Sequence, residues 1–514
     1  MNQSVYEGLI DRLEAEAESR PIAFRSKVIL LSSAAYAALF GTLFCIALML
    51  YLGFHWAYSV HQDNQIPFIA LGLFTAIVAP VFHAVLRMFF TRLEPPKGRM
   101  LQPEEAPHLF QTLDSIRKKL NGPRIHHVLI DKHFNAGIVQ LPKWGGFGGH
   151  TNYLTLGLPF LLAAPTLEMV AIIAHEYGHV CRNHGKLSAW VYRQRRTFRA
   201  LHEAVNFIGR KDRRNAGLAG GLATATNWFM DYYNGYTLVL SRQQEYQADL
   251  AASALVGAQV NANGLIRGAL LGKWMREEFW PKLYRQADTR AQPAAMPFAS
   301  MRAAFKAGYE QWATPERLEA VWREKSDLHD THPSLRLRVE ATGHPPQLPR
   351  GTELTAAEVL LGAATPRLIL EFDQAWWRDG RQAWESRHQY VTLSMQRLHG
   401  LGRRSINTLQ LHELHDFALL KSEFYSPRQA KPALEHLLRQ PGGPFPRAAY
   451  IYGRVLLEEG DELGLDHLAV AANGDPCLAR NVAQAGYFFL LEKRGEEAAK
   501  TWWGNILYGD HRPP

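Results

Sequence analysis

Ala174-His175-Glu176-Tyr177-Gly178-His179-Val180 is the stretch that decides how this chain is read. It follows the apolar run Leu167-Glu168-Met169-Val170-Ala171-Ile172-Ile173, so the spacing predicts a buried helix. On a helix His175 and His179 leave the same face one turn apart. Two neutral imidazoles held that way suit a tetrahedral Zn²⁺, and Glu176 between them is placed to take a proton from a water the metal activates. A solvated polar face on a surface helix would need polar flanks. These flanks are apolar, and burying three polar groups without a partner is costly.

The chain has 514 residues, too many for one core, so two or three units are expected. A net charge of +9 is modest for this length, and basic runs such as Arg193-Gln194-Arg195-Arg196 are scattered. No nucleic-acid motif accompanies them, so no nucleic-acid partner is expected. Cys45, Cys181 and Cys477 form no CxxC, which points to a reducing compartment without a disulfide framework.

Val28–Phe54 and Ile66–Leu86 carry no Asp, Glu, Lys or Arg, and both are long enough to cross a bilayer as helices. Arg20, Arg25 and Lys27 precede the first; Arg87, Arg92, Lys97 and Arg99 follow the second; the loop between them has no Lys or Arg. The positive-inside rule then predicts an integral membrane protein of the bacterial inner-membrane type, with both termini and the catalytic region cytoplasmic. Ala216–Val239 is a weaker third stretch, better suited to a packed or interfacial helix because Asn227, Asp231 and Asn234 interrupt it.

Past the spans, Ala106–Leu120 reads as an amphipathic helix ended by Asn121-Gly122-Pro123. His127–Asp131, Ala136–Gln140 and Asn152–Leu156 read as strands, with the glycine cluster at 145–149 as a hairpin connection. His344-Pro345-Pro346 marks a boundary before a helical C-terminal region. There Ala418, Gly453 and Gly486, followed twelve residues later by Ala430, Leu465 and Ala498, fall near a 34-residue period. Tetratricopeptide-like helix pairs and an irregular helical domain both fit; a solenoid would offer a concave face to a protein partner.

Two histidines and a base still need a third ligand. An extended HExxHxxGxxH motif would need Gly at 182 and His at 185, where this chain has Arg182 and Gly185. Glu245 and Asp249, in Ser241-Arg242-Gln243-Gln244-Glu245-Tyr246-Gln247-Ala248-Asp249, share a helix face, so one carboxylate can bind the metal while the other holds a ligand imidazole.

His175-Glu176-x-x-His179 with Ser241-Arg242-x-x-Glu245-x-x-Ala248-Asp249 resembles the HtpX-like and CAAX prenyl endopeptidase family of membrane-associated zinc metallopeptidases. Phe134-Asn135-Ala136 resembles that family's edge-strand element, and Thr331-His332-Pro333 with Arg338 its late His-Pro…Arg element. The resemblance covers roughly residues 30–340. It implies one Zn²⁺ per chain on His175, His179 and Glu245, with Glu176 as general base and Asp249 orienting a ligand histidine. It also implies that Asn135 and Ala136 pair with an extended substrate and that His332 and Arg338 stabilise the oxyanion. His332 has two other readings, a gate at the metal or a turn cap beside Pro333.

The expected fold is mainly α with a small β-sheet: two transmembrane helices, a zincin-like metallopeptidase core and the C-terminal helical domain. The expected divisions are 1–27 (cytoplasmic segment), 28–94 (two-helix anchor), 95–342 (metallopeptidase) and 350–514 (helical). The leading functional expectation is a zinc endopeptidase acting on protein or peptide substrates at the lipid bilayer, in quality control of membrane or misfolded proteins. The competing one is a membrane scaffold whose metal site is structural. A prenyl-dependent CAAX protease is disfavoured, because two spans cannot enclose a multi-helix intramembrane chamber.

Overall fold

The computed structural model describes residues 3–60, 67–75, 94–144, 147–181, 216–326, 330–349, 351 and 354–509. It divides into two compact units, Met1–Pro281 with Ala295–Arg378, and Lys282–Ala294 with Asp379–Pro514. The described residues are mainly helical with one small mixed sheet.

The first unit begins with α1 (Gln3–Ser19) and α2 (Pro21–Val60). On α1, Tyr6, Ile10, Leu13 and Ala17 recur at spacings of four, three and four, and that face is buried. Pro21 opens α2 at a position whose N–H would have no helical partner. Its first turns bury Phe24, Val28 and Ser32, whereas Phe40, Phe44, Leu48, Leu52 and Phe54 farther along are exposed. At 40 residues, α2 is about 60 Å long, more than the ~30 Å of a bilayer's hydrocarbon. Among the described residues it is the one helix long and apolar enough to span a membrane. Residues 67–75 are helical and meet its far end, where Phe54 and Phe68 pack edge-on at 6.4 Å. Most of the second expected span lies outside the described residues.

Next come β1 (Arg99–Leu101), α3 (Pro107–Leu120), β2 (His127–Asp131), β3 (Ala136–Trp144) and β4 (Phe147–Gly157). The expected helix and three strands are all found. β1 is an addition, too short at three residues to show a period in sequence. The sheet order is β1-β2-β4-β3, with β2 and β4 parallel and the outer pairs antiparallel. Among the described residues β3 is therefore an edge, hydrogen-bonded only to β4. The chain leaves β4 at Gly157, whose N–H donates to Asn135 O at 2.8 Å. A Cβ there would stand 1.8 Å from His133 O, so only glycine allows this crossing.

The short, fully buried α4 (Leu158–Ala163) then hands the chain to α5 (Thr166–Cys181), which crosses α6 (Ala216–Val256). Gly178 sets how closely they cross: a Cβ on it would lie 3.1 Å from Ala248 Cα. Ala216–Val239 forms the first half of α6, and Tyr233, Leu238 and Val239 in it are buried against α1 and α2. α7 (Ala258–Trp274) packs on α5 through a buried fork, Arg267 donating to both Glu168 oxygens at 2.6 and 3.1 Å. α8 (Leu335–Ala341) is capped by Ser334, and α9 (Ala364–Gly402) supplies its first turns to this unit.

In the second unit the later part of α9 holds segment 282–294, Arg387 meeting Asp288 at 2.7 Å and Trp384 donating to Arg290 O. Three helix pairs follow: α10 (Leu411–Phe424) with α11 (Pro427–Leu438), α12 (Pro446–Glu458) with α13 (Leu463–Gly474), and α14 (Ala479–Arg494) with α15 (Glu496–Tyr508). Ala418, Gly453, Gly486 and Ala430 are buried where partners cross. Leu465 and Ala498 are only half-buried; their neighbours Gly464 and Ala499 take the buried places.

Candidate metal centre

α5 brings His175 and His179 to one face, and the close crossing at Gly178 sets that face against Glu245 and Asp249 on α6. The Nε2 atoms of His175 and His179 are 3.2 Å apart. Glu245 Oε2 lies 3.4 Å from His175 Nε2, and Glu245 Oε1 lies 3.4 Å from His179 Nε2. Donors on a tetrahedral ion with bonds of about 2.0–2.1 Å stand about 3.3 Å apart. Glu245 Oε2 is buried and accepts no well-aligned hydrogen bond. Two imidazole nitrogens turned toward one another and a buried carboxylate oxygen without a well-aligned donor are what a shared cation would resolve. The three residues fit a metal ion.

A buried scaffold surrounds them. Asp249 is 1% exposed and its Oδ1 lies 2.8 Å from His175 Nδ1, which directs the other nitrogen, Nε2, at Glu245 and His179. Arg338, from α8, grips the same carboxylate in a fork: Nε to Oδ2 at 2.9 Å and Nη2 to Oδ1 at 2.8 Å. Its Nη1 reaches to 3.7 Å from Glu245 Oε2. His332 is exposed at the rim, with Nδ1 3.0 Å from Glu245 Oε2. Glu176 is half-buried and makes no hydrogen bond or ion pair among the described residues, yet its charge acts on Arg338. Asn135, exposed, and Ala136, half-buried, begin the edge strand β3.

The electrostatics follow from burial and charge density. Burial works against charge on His175, but hydrogen bonds to Asp249 and Glu245 outweigh it and hold the imidazole at about 9 without a metal. Burial likewise opposes ionisation of Glu245, yet contacts with His175, His179 and His332 hold its carboxyl well below the usual range. Asp249 is also lowered, Arg338 and His175 overcoming its burial. His332 is raised by its contact with Glu245.

Residues 153–345 match peptidase family M48. The matched segment contains His175, Glu176, His179, Glu245, Asp249, His332 and Arg338, and begins after Asn135 and Ala136. M48 peptidases are metallopeptidases, so hydrolysis of peptide bonds with a metal is the activity this segment implies. A comparison with curated proteins finds no match to the chain.

Two partners of this site carried no sequence signal of their role. Arg242 precedes Glu245 on α6 and pairs with Glu14 of α1 at 2.6 Å, a contact across 228 residues. Arg338, for which the resemblance implies an oxyanion role, sets its guanidinium against Asp249, with Nη2 also 3.2 Å from His175 Nδ1 and Nη1 3.7 Å from Glu245 Oε2. No local spacing tells a donor facing substrate from one facing a buried carboxylate.

Proposed function

We propose that this protein is a membrane-anchored zinc endopeptidase, with one Zn²⁺ per chain held by His175, His179 and Glu245. The observation that carries the reading is the convergence of those three donors at 3.2–3.4 Å beside Glu176, which has no hydrogen bond or ion pair among the described residues. Zinc bound there would supply Lewis acidity, making water a nucleophile at neutral pH and polarising the scissile carbonyl. Glu176 takes the water proton on a carboxylate oxygen and delivers it to the leaving amine nitrogen. Asp249, forked by Arg338, fixes the His175 ring so that Nε2 remains a lone-pair donor. His332, exposed at the rim, donates to the oxyanion that forms on the scissile carbonyl.

The free edge of β3, starting at Asn135-Ala136, suits an extended peptide, which would gain main-chain hydrogen bonds by adding a strand. α2 supports membrane anchoring. With a second span at Ile66–Leu86, the positive residues before the first span and after the second would put the peptidase region on the cytoplasmic side, where it would act on membrane or misfolded protein substrates. The three helix pairs of the second unit suit a tetratricopeptide-like surface for a protein partner.

The test is Glu176→Gln in the full chain reconstituted in lipid vesicles. The variant is expected to retain one zinc by elemental analysis and to lose cleavage of fluorescein-labelled β-casein by about 10³-fold or more. Undiminished cleavage would remove Glu176 from the chemistry. Cleavage absent from the zinc-loaded wild type on every protein substrate tried would favour a scaffold with a structural metal.

A further inference from the structure

α1 is continuous with the apolar helix α2, separated from it by a single residue, and lies outside the M48 segment. It is nevertheless wired to the metal site. Its buried face packs on Leu238, Val239 and Leu240 of α6, and a Cβ on Gly235 would meet Leu13, Leu9 and Ile10 at 3.4–3.5 Å. At the end of that contact Glu14 Oε1 accepts from Arg242 Nη1 at 2.6 Å. The Arg242 side chain is 9% exposed against 39% for Glu14, so the carboxylate reaches in to a charge that is almost out of water. The other guanidinium nitrogen, Nη2, lies 3.4 Å from the main-chain oxygen of Asp330. Asp330 in turn accepts from the His332 N–H through Oδ1 at 2.9 Å, closing a turn that aims the His332 ring at Glu245 Oε2, 3.0 Å away.

We propose that Glu14 and Arg242 form a latch through which the membrane-side helix α1 positions His332 over the metal centre. A carboxylate on α1 fixes the guanidinium, the guanidinium fixes the Asp330 carbonyl, and the Asp330 turn fixes His332. Without Glu14, the Arg242 guanidinium loses the carboxylate that sets its orientation, and its Nη2 no longer holds the Asp330 oxygen. Asp330 then loses its anchor and His332 leaves the rim. Glu14 and Arg242 are positioning residues that touch neither substrate nor metal. The catalytic half of the latch rests on the role given to His332 above; the structural half does not.

Glu14→Ala keeps helix propensity, and Glu14→Gln keeps an acceptor without the charge. Both are made in the full zinc-loaded chain in vesicles, alone and with His332→Ala. Hydrogen exchange across residues 330–338 is expected to quicken about tenfold in Glu14→Ala and less in Glu14→Gln, with zinc content held and the thermal midpoint lowered by only a few degrees. On fluorescein-labelled β-casein, Glu14→Ala is expected to lower kcat about tenfold at unchanged KM, and to cost nothing further once His332 is alanine. Unchanged exchange at 330–338 overturns the latch, as does a kcat loss that adds in full to that of His332→Ala, or wild-type kcat in His332→Ala itself. A wild-type chain that cleaves no peptide bond refutes the peptidase reading, while the exchange data still judge the latch.

Discussion

Arg338→Met separates two roles for a residue whose type and spacing suit either. The methionine keeps most of the side-chain length and removes every donor. Asp249, 1% exposed, then loses the contacts at 2.9 and 2.8 Å and keeps His175 as its remaining side-chain partner. Removing one partner of a buried ion pair costs about 3–5 kcal/mol. The Arg338 side chain is 16% exposed and Asp249 keeps one contact, so the low end, about 3 kcal/mol, is expected. At a few degrees per kcal/mol, the metal-free thermal midpoint should fall by roughly 5–10 °C. Apparent zinc affinity should fall about 10–100-fold, because the carboxylate that orients His175 is no longer held. The Arg338 charge also opposes protonation of His175, so its removal strengthens the proton's competition with the metal. Calorimetric melts with and without metal, and zinc competition against a chromophoric chelator, measure both effects. An unchanged midpoint and zinc affinity, with kcat down about 10²–10³-fold, is what an oxyanion donor would give and would refute the reasoning.

Three other outcomes follow from the same geometry. Gly178→Ala places a Cβ 3.1 Å from the Ala248 backbone, so α5 and α6 must separate; stability should drop about 1–3 kcal/mol by denaturant melts and zinc should bind more weakly, whereas wild-type values would mean the crossing has slack. Arg267→Met should cost about 3–5 kcal/mol by leaving Glu168 buried and alone, and adding Glu168→Leu should restore most of it; a double variant no better than the single would contradict the pairing. Zinc uptake should release a proton below pH 9, because His175 is raised to about 9 in the metal-free fold. The sign follows: zinc displaces that proton, so apparent zinc affinity rises about tenfold per unit as pH climbs toward about 9 and levels off above it. The proton's own stabilisation of the metal-free fold is complete below about 6.5 and is lost as pH rises through about 9. Affinity flat across pH 6.5–9 would count against the assigned contacts.

Helix α5, the main strands, α2 and the candidate metal group His175, His179 and Glu245 were legible in the linear sequence, because each rests on a local rule. Four-residue spacing puts His175 with His179 and Glu245 with Asp249, and apolar length marks α2. β1 was not legible, since three residues carry no period and pairing with β2 alone makes it a strand. The buried fork of Arg267 on Glu168 spans 99 residues, with no pattern to link its ends.

By itself the sequence determined which side chains could ligate a metal, which carboxylate stands between them, and which helix is long enough to enter a bilayer. Tertiary structure alone decided how those parts are supported. Close approach at Gly178 brings the two ligand helices together, Arg338 turns inward to Asp249, and Glu14 on α1 reaches Arg242 beside Glu245. The physical reason is range. Helical spacing acts over one turn and leaves a trace in the chain, whereas a buried charge is satisfied by whatever the fold brings near, and its partner can lie anywhere in the sequence.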